Sequence, residues 1–354
     1  ISPDLTRAEP EKLVSSGGDI TPDNTTAETH ATIYTVAESP VEAGVIWVGT
    51  DDGNLQITRD GGGSWDNVVD NVPDIPDGSW VSRVEASRVV GGRAYVTFDR
   101  HRDDDMRPWV FRTDDYGRDW ENITGDLPAR GYAHVVREDP RNSDLVYVGT
   151  ELGIFASWTR GGQWVDIRLG IPRVAVRDIL VHPRDNDLII GTHGLRVFIM
   201  DDISPLQEMS QAVADGPTVF TPRTATRFEP WAARFRFDLG DAVFVGENLP
   251  YGAGLAFYLP PEEEADETGD SESASGARSA GDDDQEGDED DGESAASDSV
   301  RVVITGAGGD TVRVLRTERR GGVTRLAWDL REEGAPPPEE RGAYRFGPAP
   351  ARVL

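Results

Sequence analysis

Any chemistry in this chain has to come from carboxylates, arginines and five histidines, because its 354 residues include no cysteine. That absence removes disulfides, thiolate metal sites and cysteine nucleophiles together. Hydrolysis of a glycosidic bond needs two carboxylates roughly 5 to 9.5 Å apart, one of them with a raised pKa. By position the candidates are Asp51, Asp52 and Glu151, each just after a short apolar strand. Asp before Gly, as in Asp51-Asp52-Gly53, is equally ordinary turn chemistry. For a metal the available sets are His101 with Asp103 and Asp105, or His182 with His193, and neither has paired-ligand spacing. No metal and no cofactor is therefore expected. His134 and His182 fall at strand ends, where a hydrogen-bonded structural role is the commoner outcome. No Gly-x-Ser-x-Gly precedes a helix, which leaves no serine nucleophile to nominate. His101, Arg102, Asp103, Asp105 and Trp109 lie in the longest insertion within any repeat and form a candidate binding loop, carrying both charge signs and an aromatic.

Composition narrows the partners. The formal charge is −30, and Lys12 is the single lysine among the basic residues. Phosphate backbones demand a basic surface, so nucleic acid is excluded as a partner. No apolar run approaches the ~18 residues of a membrane span. Neither a basic N-region nor a small-residue cleavage site opens the chain, so a secretory signal was never present or lies outside this segment. Between Glu262 and Asp298 there are 17 carboxylates and one basic residue, Arg278, about −16 in charge, leaving about −14 elsewhere. An acid-rich, lysine-poor surface suits a protein kept soluble in high salt, where repulsion between like charges is screened. A halophilic source is the expectation, with a GC-rich genome the other account of arginine over lysine.

The elements that would position these residues repeat. A short apolar strand recurs at Val45–Thr50, Ala94–Phe98, Leu145–Thr150 and Leu188–Thr192, and the steps from Val48 to Val96, Val148 and Ile190 are 48, 52 and 42 residues. Such periods match the ~40 to 50 residues of propeller blades. Each copy follows another strand and a turn rich in Pro, Asn and Asp, which sets up a hairpin. Blades are expected at about 30–70, 78–125, 130–170 and 174–204, within a propeller segment 1–210.

After a third strand comes a motif of the form S/T-x-D-x-G-x-S/T-W. The first copy is Thr58, Asp60, Gly62, Ser64 and Trp65; the second keeps Thr113, Asp115, Gly117 and Trp120; the third keeps Ser157, Gly161 and Trp164, with Thr159 in place of Asp. The aspartate can accept backbone N–H bonds inside a hairpin turn while Gly takes the positive φ, and Trp starts a fourth strand with its ring between sheets. This is a folding device, not a catalytic one. The fourth repeat lacks it and runs from an apolar strand into a helical-looking stretch.

From residue 211 the pattern changes to a linker, 211–240, and then to alternating strands over 241–354. These predict an immunoglobulin-like β-sandwich, partial in this chain, interrupted by an acidic loop at 261–299 whose composition cannot build a core. The fold class is all-β: propeller blades followed by part of a sandwich.

The Asp-box copies, Gly49-Thr50-Asp51-Asp52-Gly53, Gly191-Thr192-His193-Gly194 and Asp201-Asp202-Ile203-Ser204-Pro205-Leu206 together resemble the bacterial neuraminidase-repeat "glycosyl hydrolase"-type proteins related to the sortilin propeller. The stretches Gly246–Ala253 and Leu326–Arg331 resemble the C-terminal sandwich of those proteins. This chain departs from the family at Leu195, where an Arg usually follows His-Gly. The resemblance implies a C-terminal portion of a longer molecule with earlier blades missing here, and an extracytoplasmic location. Two functional readings follow. Folding explains the repeated residues, which favours a non-catalytic scaffold holding a protein, peptide or glycan by blade loops or the propeller face. The family label implies the alternative, a glycoside hydrolase.

Overall fold

The computed structural model describes residues 2–14, 30–167, 170–225, 251–261 and 299–334. The chain divides into two compact units, Ile1–Gln207 and Glu208–Leu354. In the first unit β1 (Ile33–Glu38), β2 (Ile46–Thr50), β3 (Leu55–Thr58) and β4 (Asp66–Asn67) form one antiparallel meander, and β5 (Trp80–Ala86), β6 (Ala94–Asp99), β7 (Trp109–Thr113) and β8 (Glu121–Asn122) form a second. A third consists of β9 (Ala133–Glu138), β10 (Val146–Thr150), β11 (Gly153–Ser157) and β12 (Val165–Asp166). The fourth has three described strands, β13 (Val176–Val181), β14 (Leu188–Thr192) and β15 (Val197–Met200). These sheets are propeller blades. Each packs its first strands on the next blade, β1 and β2 on β5, β5 and β6 on β9, β9 and β10 on β13.

Burial follows from that stacking. The two middle blades have neighbours on both faces, so every residue of β6 and β10 is buried, including the polar Thr97 and Asp99 of β6. Among the described residues, blades one and four each keep an uncovered face. Val36 on β1 and Leu180, Val197 and Ile199 on blade four are exposed. Where blade four would need a fourth strand, the chain enters α1 (Ser204–Asp215). Ile203 and Leu206 there join the core of blades three and four beside Ile167. The Trp158 indole N–H donates to Leu206 O at 2.6 Å.

The aspartate turns sit at one end of the blades. Asp60 accepts the Ser64 N–H at 2.9 Å and the Thr58 hydroxyl at 2.8 Å, and these bonds, the Ser64 N–H foremost, bring its pKa down to about 2. Asp115 accepts the N–H groups of Arg118 and Asp119 at 3.1 and 3.0 Å. In the third copy the Thr159 hydroxyl replaces the carboxylate and accepts the Gln163 N–H at 3.0 Å. Glycine is required for two reasons at once. Gly161 has φ +99°, and a Cβ there would lie 2.6 Å from Ile123 of the preceding blade. Gly117 makes the same close approach to Val68, which would stand 2.9 Å from a Cβ at that position. Trp120 packs edge-on to Trp47 of blade one, and the Trp164 indole donates to Ile123 O of blade two at 2.9 Å. Trp65, the first in the series, is half-buried.

In the second unit β16 (Thr218–Val219), β17 (Ala253–Leu259) and β20 (Gly322–Trp328) form one sheet, and β18 (Ser299–Thr305) pairs with β19 (Thr311–Glu318). Phe220 and Tyr258 make its small core with Met209 and Ala256. Of the region expected to hold alternating strands, 241–250 and residues 262–298 of the acidic loop lie outside the described residues.

Candidate binding site at the axial end of the inner strands

Strand direction sorts the polar residues of the first unit into two ends. Thr58 opposes Ile46, which opposes Glu38, so the aspartate turn shares an end with the hairpin between the first two strands. Ile33 opposes Thr50 at the other end, and Trp80 opposes Asp99 there in blade two. This second end we call axial.

Every inner strand carries a register shift near that end. The skipped residues are Tyr34 in β1, Ser82 in β5, His134 in β9 and Arg177 in β13. A bulge leaves one residue out of the ladder and re-aims its side chain. Ser82 turns its hydroxyl to Thr97, and Thr97 in turn donates to His134 O at 3.1 Å, tying blade two to blade three. Of the other three bulge residues, His134 and Arg177 face one carboxylate, and Tyr34 packs edge-on to Trp80 and His134 beside them.

That carboxylate is Asp99, the last residue of β6, 1% exposed. Its Oδ1 accepts from His101 Nδ1 at 2.6 Å and from the His101 backbone N–H at 3.1 Å. Its Oδ2 faces His134 Nδ1 at 3.0 Å and Arg177 Nη1 at 3.6 Å. Arg177 Nη1 also lies 3.0 Å from His134 Nδ1, and Nη2 donates to the Tyr132 hydroxyl at 2.7 Å. Burial pushes Asp99 up, but the bonds from His134 and His101 outweigh it and hold the carboxyl below its ordinary range. Burial lowers His134, with the Arg177 charge adding to the effect against the pull of Asp99. The lowered pKa favours the neutral ring of His134, whose Nδ1 faces Asp99. Burial, followed by the hydrogen-bonded Glu151 carboxylate, pushes the Tyr132 hydroxyl up to about 12.

Aromatic rings surround this cluster. His101 stacks on Tyr132 with centroids 4.7 Å apart, Tyr34 meets Trp80 edge-on at 4.7 Å, and Trp80 meets His134 edge-on at 5.5 Å. Arg102 lies over Trp80 with its guanidinium carbon 4.4 Å from the centroid. Below the cluster Arg83 bonds Asp178 at 2.9 Å, Arg137 bonds Asp178 at 3.1 Å, and Arg137 also pairs with Glu85. Blades two, three and four are thereby joined through their inner strands.

Both histidines present Nδ1 to the two oxygens of one carboxylate, so their Nε2 atoms, on the far side of each ring, cannot share an ion with it. Among the described residues no group of three ligand side chains could hold an ion.

The residues nominated from sequence distribute as follows. Asp52 Oδ2 accepts the N–H groups of Arg7 and Ala8 at 2.7 and 3.1 Å, pinning the segment before blade one. Asp51 accepts the Thr32 N–H at 2.6 Å. Glu151 stands at the axial end beside Tyr132. Within the candidate loop, His101 and Arg102 belong to the axial cluster; Asp105 forms a two-pronged pair with Arg107 at 2.8 Å, which brings it down to about 2, and Asp103 lies 3.4 Å from Arg100. Trp109 is buried in the core with Arg107 over its ring. Asp99, Tyr132, His134, Arg177, Trp80 and Tyr34 were not nominated. A sequence signal for them exists. Tyr34, Ser82, His134 and Arg177 each stand five residues before the hairpin turn at Ser39, Ser87, Asp139 or His182, and Trp80 and Tyr132 stand two residues earlier again.

No family model and no curated protein sequence matches the chain. Solved structures do. A GH74 enzyme of Niastella koreensis is similar at 12% identity and TM-score 0.38, over 46% of this chain and 26% of that one. YCF48 from Cyanidioschyzon merolae is similar at 16% identity and TM-score 0.32, over 48% of this chain and 56% of that one. The extracellular domain of a hybrid two-component system from B. thetaiotaomicron gives 13% identity and TM-score 0.38, over 51% and 22%. The aligned part thus spans about a quarter of the enzyme and about half of YCF48. Blade architecture rests here on the hydrogen-bonded sheets themselves. Among the described residues no helix is long and apolar enough to cross a membrane.

Proposed function

We propose that this chain is a non-catalytic binding segment of an extracytoplasmic propeller protein, and that a protein, peptide or glycan ligand is held at the axial end. One observation carries the reading. The ionisable groups there engage one another around Asp99, from three blades, while Tyr34 stays exposed at the rim against Trp80, which is buried beneath Arg102. Rigid rings with few rotatable bonds supply contact area at a small loss of entropy. Glycoside hydrolysis would need two carboxylates free to exchange protons. Asp51 and Asp52 are instead occupied by backbone N–H groups.

Further blades are the cover proposed for the uncovered face of blade one. Val68 and Ile123 fill the glycine sockets of the next blade's turn, whereas a Cβ at Gly62 would meet, among the described residues, nothing nearer than Trp65, at 3.8 Å.

Calorimetric titration of the full chain with peptide and glycan panels tests the binding reading. Tyr34→Ala should weaken the ligand found by about tenfold while leaving the melting temperature within a few degrees. Turnover of aryl glycosides that Glu151→Gln or Asp52→Asn abolishes would replace binding by hydrolysis.

A further inference from the structure

We propose that the Trp80 ring is a seat for a cationic side chain, so that the axial end takes a basic segment of a protein partner. The inference rests on the binding reading above and adds the charge of the ligand.

The structure already holds a cation on that seat. Arg102 projects from the single turn His101–Asp103, is exposed, and places its guanidinium 4.4 Å from the Trp80 centroid. Its neighbour Arg100 is fastened to the Ser79 hydroxyl at 2.8 Å and to Asp103 and Asp105 at 3.4 and 3.5 Å. Arg102 makes no ion pair among the described residues, so the ring alone retains it. Tyr34, His134 and His101 bracket the same indole at 4.7, 5.5 and 6.1 Å, which orders it before any ligand arrives. A ring that accepts a guanidinium from its own chain can accept one from another, and an exposed arginine is displaced easily.

Charge selects the class of ligand. Outside residues 262–298 the chain carries about −14, and Asp103 and Asp104 stand exposed on either side of the turn's end, with Asp104 held in a left-handed conformation at φ 58°. An arginine or lysine approaching this end is drawn in by the field, and an acidic peptide is repelled. Arg102 is then an internal occupant that a ligand displaces, which gives its removal an unusual sign.

The test is fluorescence-anisotropy titration of the full chain with a labelled Gly-Arg alternating hexapeptide and a Gly-Glu counterpart, at 0.15 M and 1 M salt. Arg102→Ala should tighten the Gly-Arg peptide about threefold by removing the competitor, the size expected of one exposed cation–ring contact. Tyr34→Ala should loosen it by about the same factor. Both sites are exposed, so folding is preserved; the charge lost with Arg102 adds attraction at 0.15 M salt but is largely screened at 1 M, where tightening that persists reports the freed ring. Absent binding of the Gly-Arg peptide, unchanged or weaker binding in Arg102→Ala, or preference for the Gly-Glu peptide would each overturn the cationic assignment. In the last case Tyr34→Ala separates the two claims: lost Gly-Glu binding leaves the axial end a ligand site of the opposite charge, and unaltered binding removes the site as well.

Discussion

The repeated aspartate turns and the axial cluster satisfy their polar groups in opposite ways. In the turns the partners are local: Asp60 and Asp115 accept from residues at most four positions away, although Glu138 in the hairpin at the same end accepts from Ser87 and Arg88, 51 and 50 positions away. At the axial end they are distant: Asp99 meets His134 across 35 positions, and Arg177 meets Tyr132 across 45. A local device can be copied from blade to blade because each copy carries its own donors and acceptors. A shared device cannot be copied, since each blade contributes a different member, here Tyr34, Asp99, His134 and Arg177. Repetition at one end and division of labour at the other is the arrangement expected of a scaffold that keeps its frame constant and varies one surface.

The contrast breaks most decisively at the turn end. Gly161→Val places a branched side chain at φ +99° and against Ile123, where a Cβ alone would come within 2.6 Å. Strain and overpacking together should cost about 3 kcal/mol or more, read by urea denaturation. Asp115→Ala removes the acceptor of two N–H groups in a turn open to water and should cost about 1 kcal/mol. A fully additive double mutant with Gly161→Val would show that each turn acts alone.

The ends should also differ in pH response. His134 is held below its ordinary value of 6.5 in the folded chain, so the unfolded chain takes up the proton first. Its contribution is complete above about 6.5 and declines as pH falls from there toward the lowered folded value. His134→Gln should flatten that slope in thermal melts between pH 7.5 and 5. Asp60 has the other window: its contribution is complete above 3.8 and is lost as pH falls toward about 2. A wild-type chain with no slope above pH 5 would remove the distinction. The smallest effect sharpens the comparison from the other side. Thr159→Asp restores the usual acceptor in the third turn and should stabilise by about 0.5 kcal/mol, because Thr159 already takes one of the N–H groups.

Much of the frame was legible in the chain. The strand and turn repeat marked the blades, and the Asp, Gly and Trp spacing marked the turns, because both depend on contacts within one blade or on one residue meeting its nearest neighbour. The axial cluster was not legible in that way. His134 was read as a strand-end histidine, and neither Asp99 nor Arg177 stands in a motif. Asp52 looked like an acid or base until Arg7 and Ala8, 45 and 44 positions away, were found on it. Trp109 belonged to a loop by sequence and to the core by packing.

By itself the sequence determined that strands form, where they turn, which glycines take left-handed conformations and that the surface is acidic. These follow from local backbone preference, hydrophobic spacing and composition. Only the tertiary structure decided that bulges at one offset bring His134 and Arg177 to the same buried carboxylate, with Tyr34 packed on His134, and that Arg102 lies on Trp80. The reason is physical: a charge is tolerated in the interior only when partners from other blades surround it, and which blades supply them is a property of the packed arc.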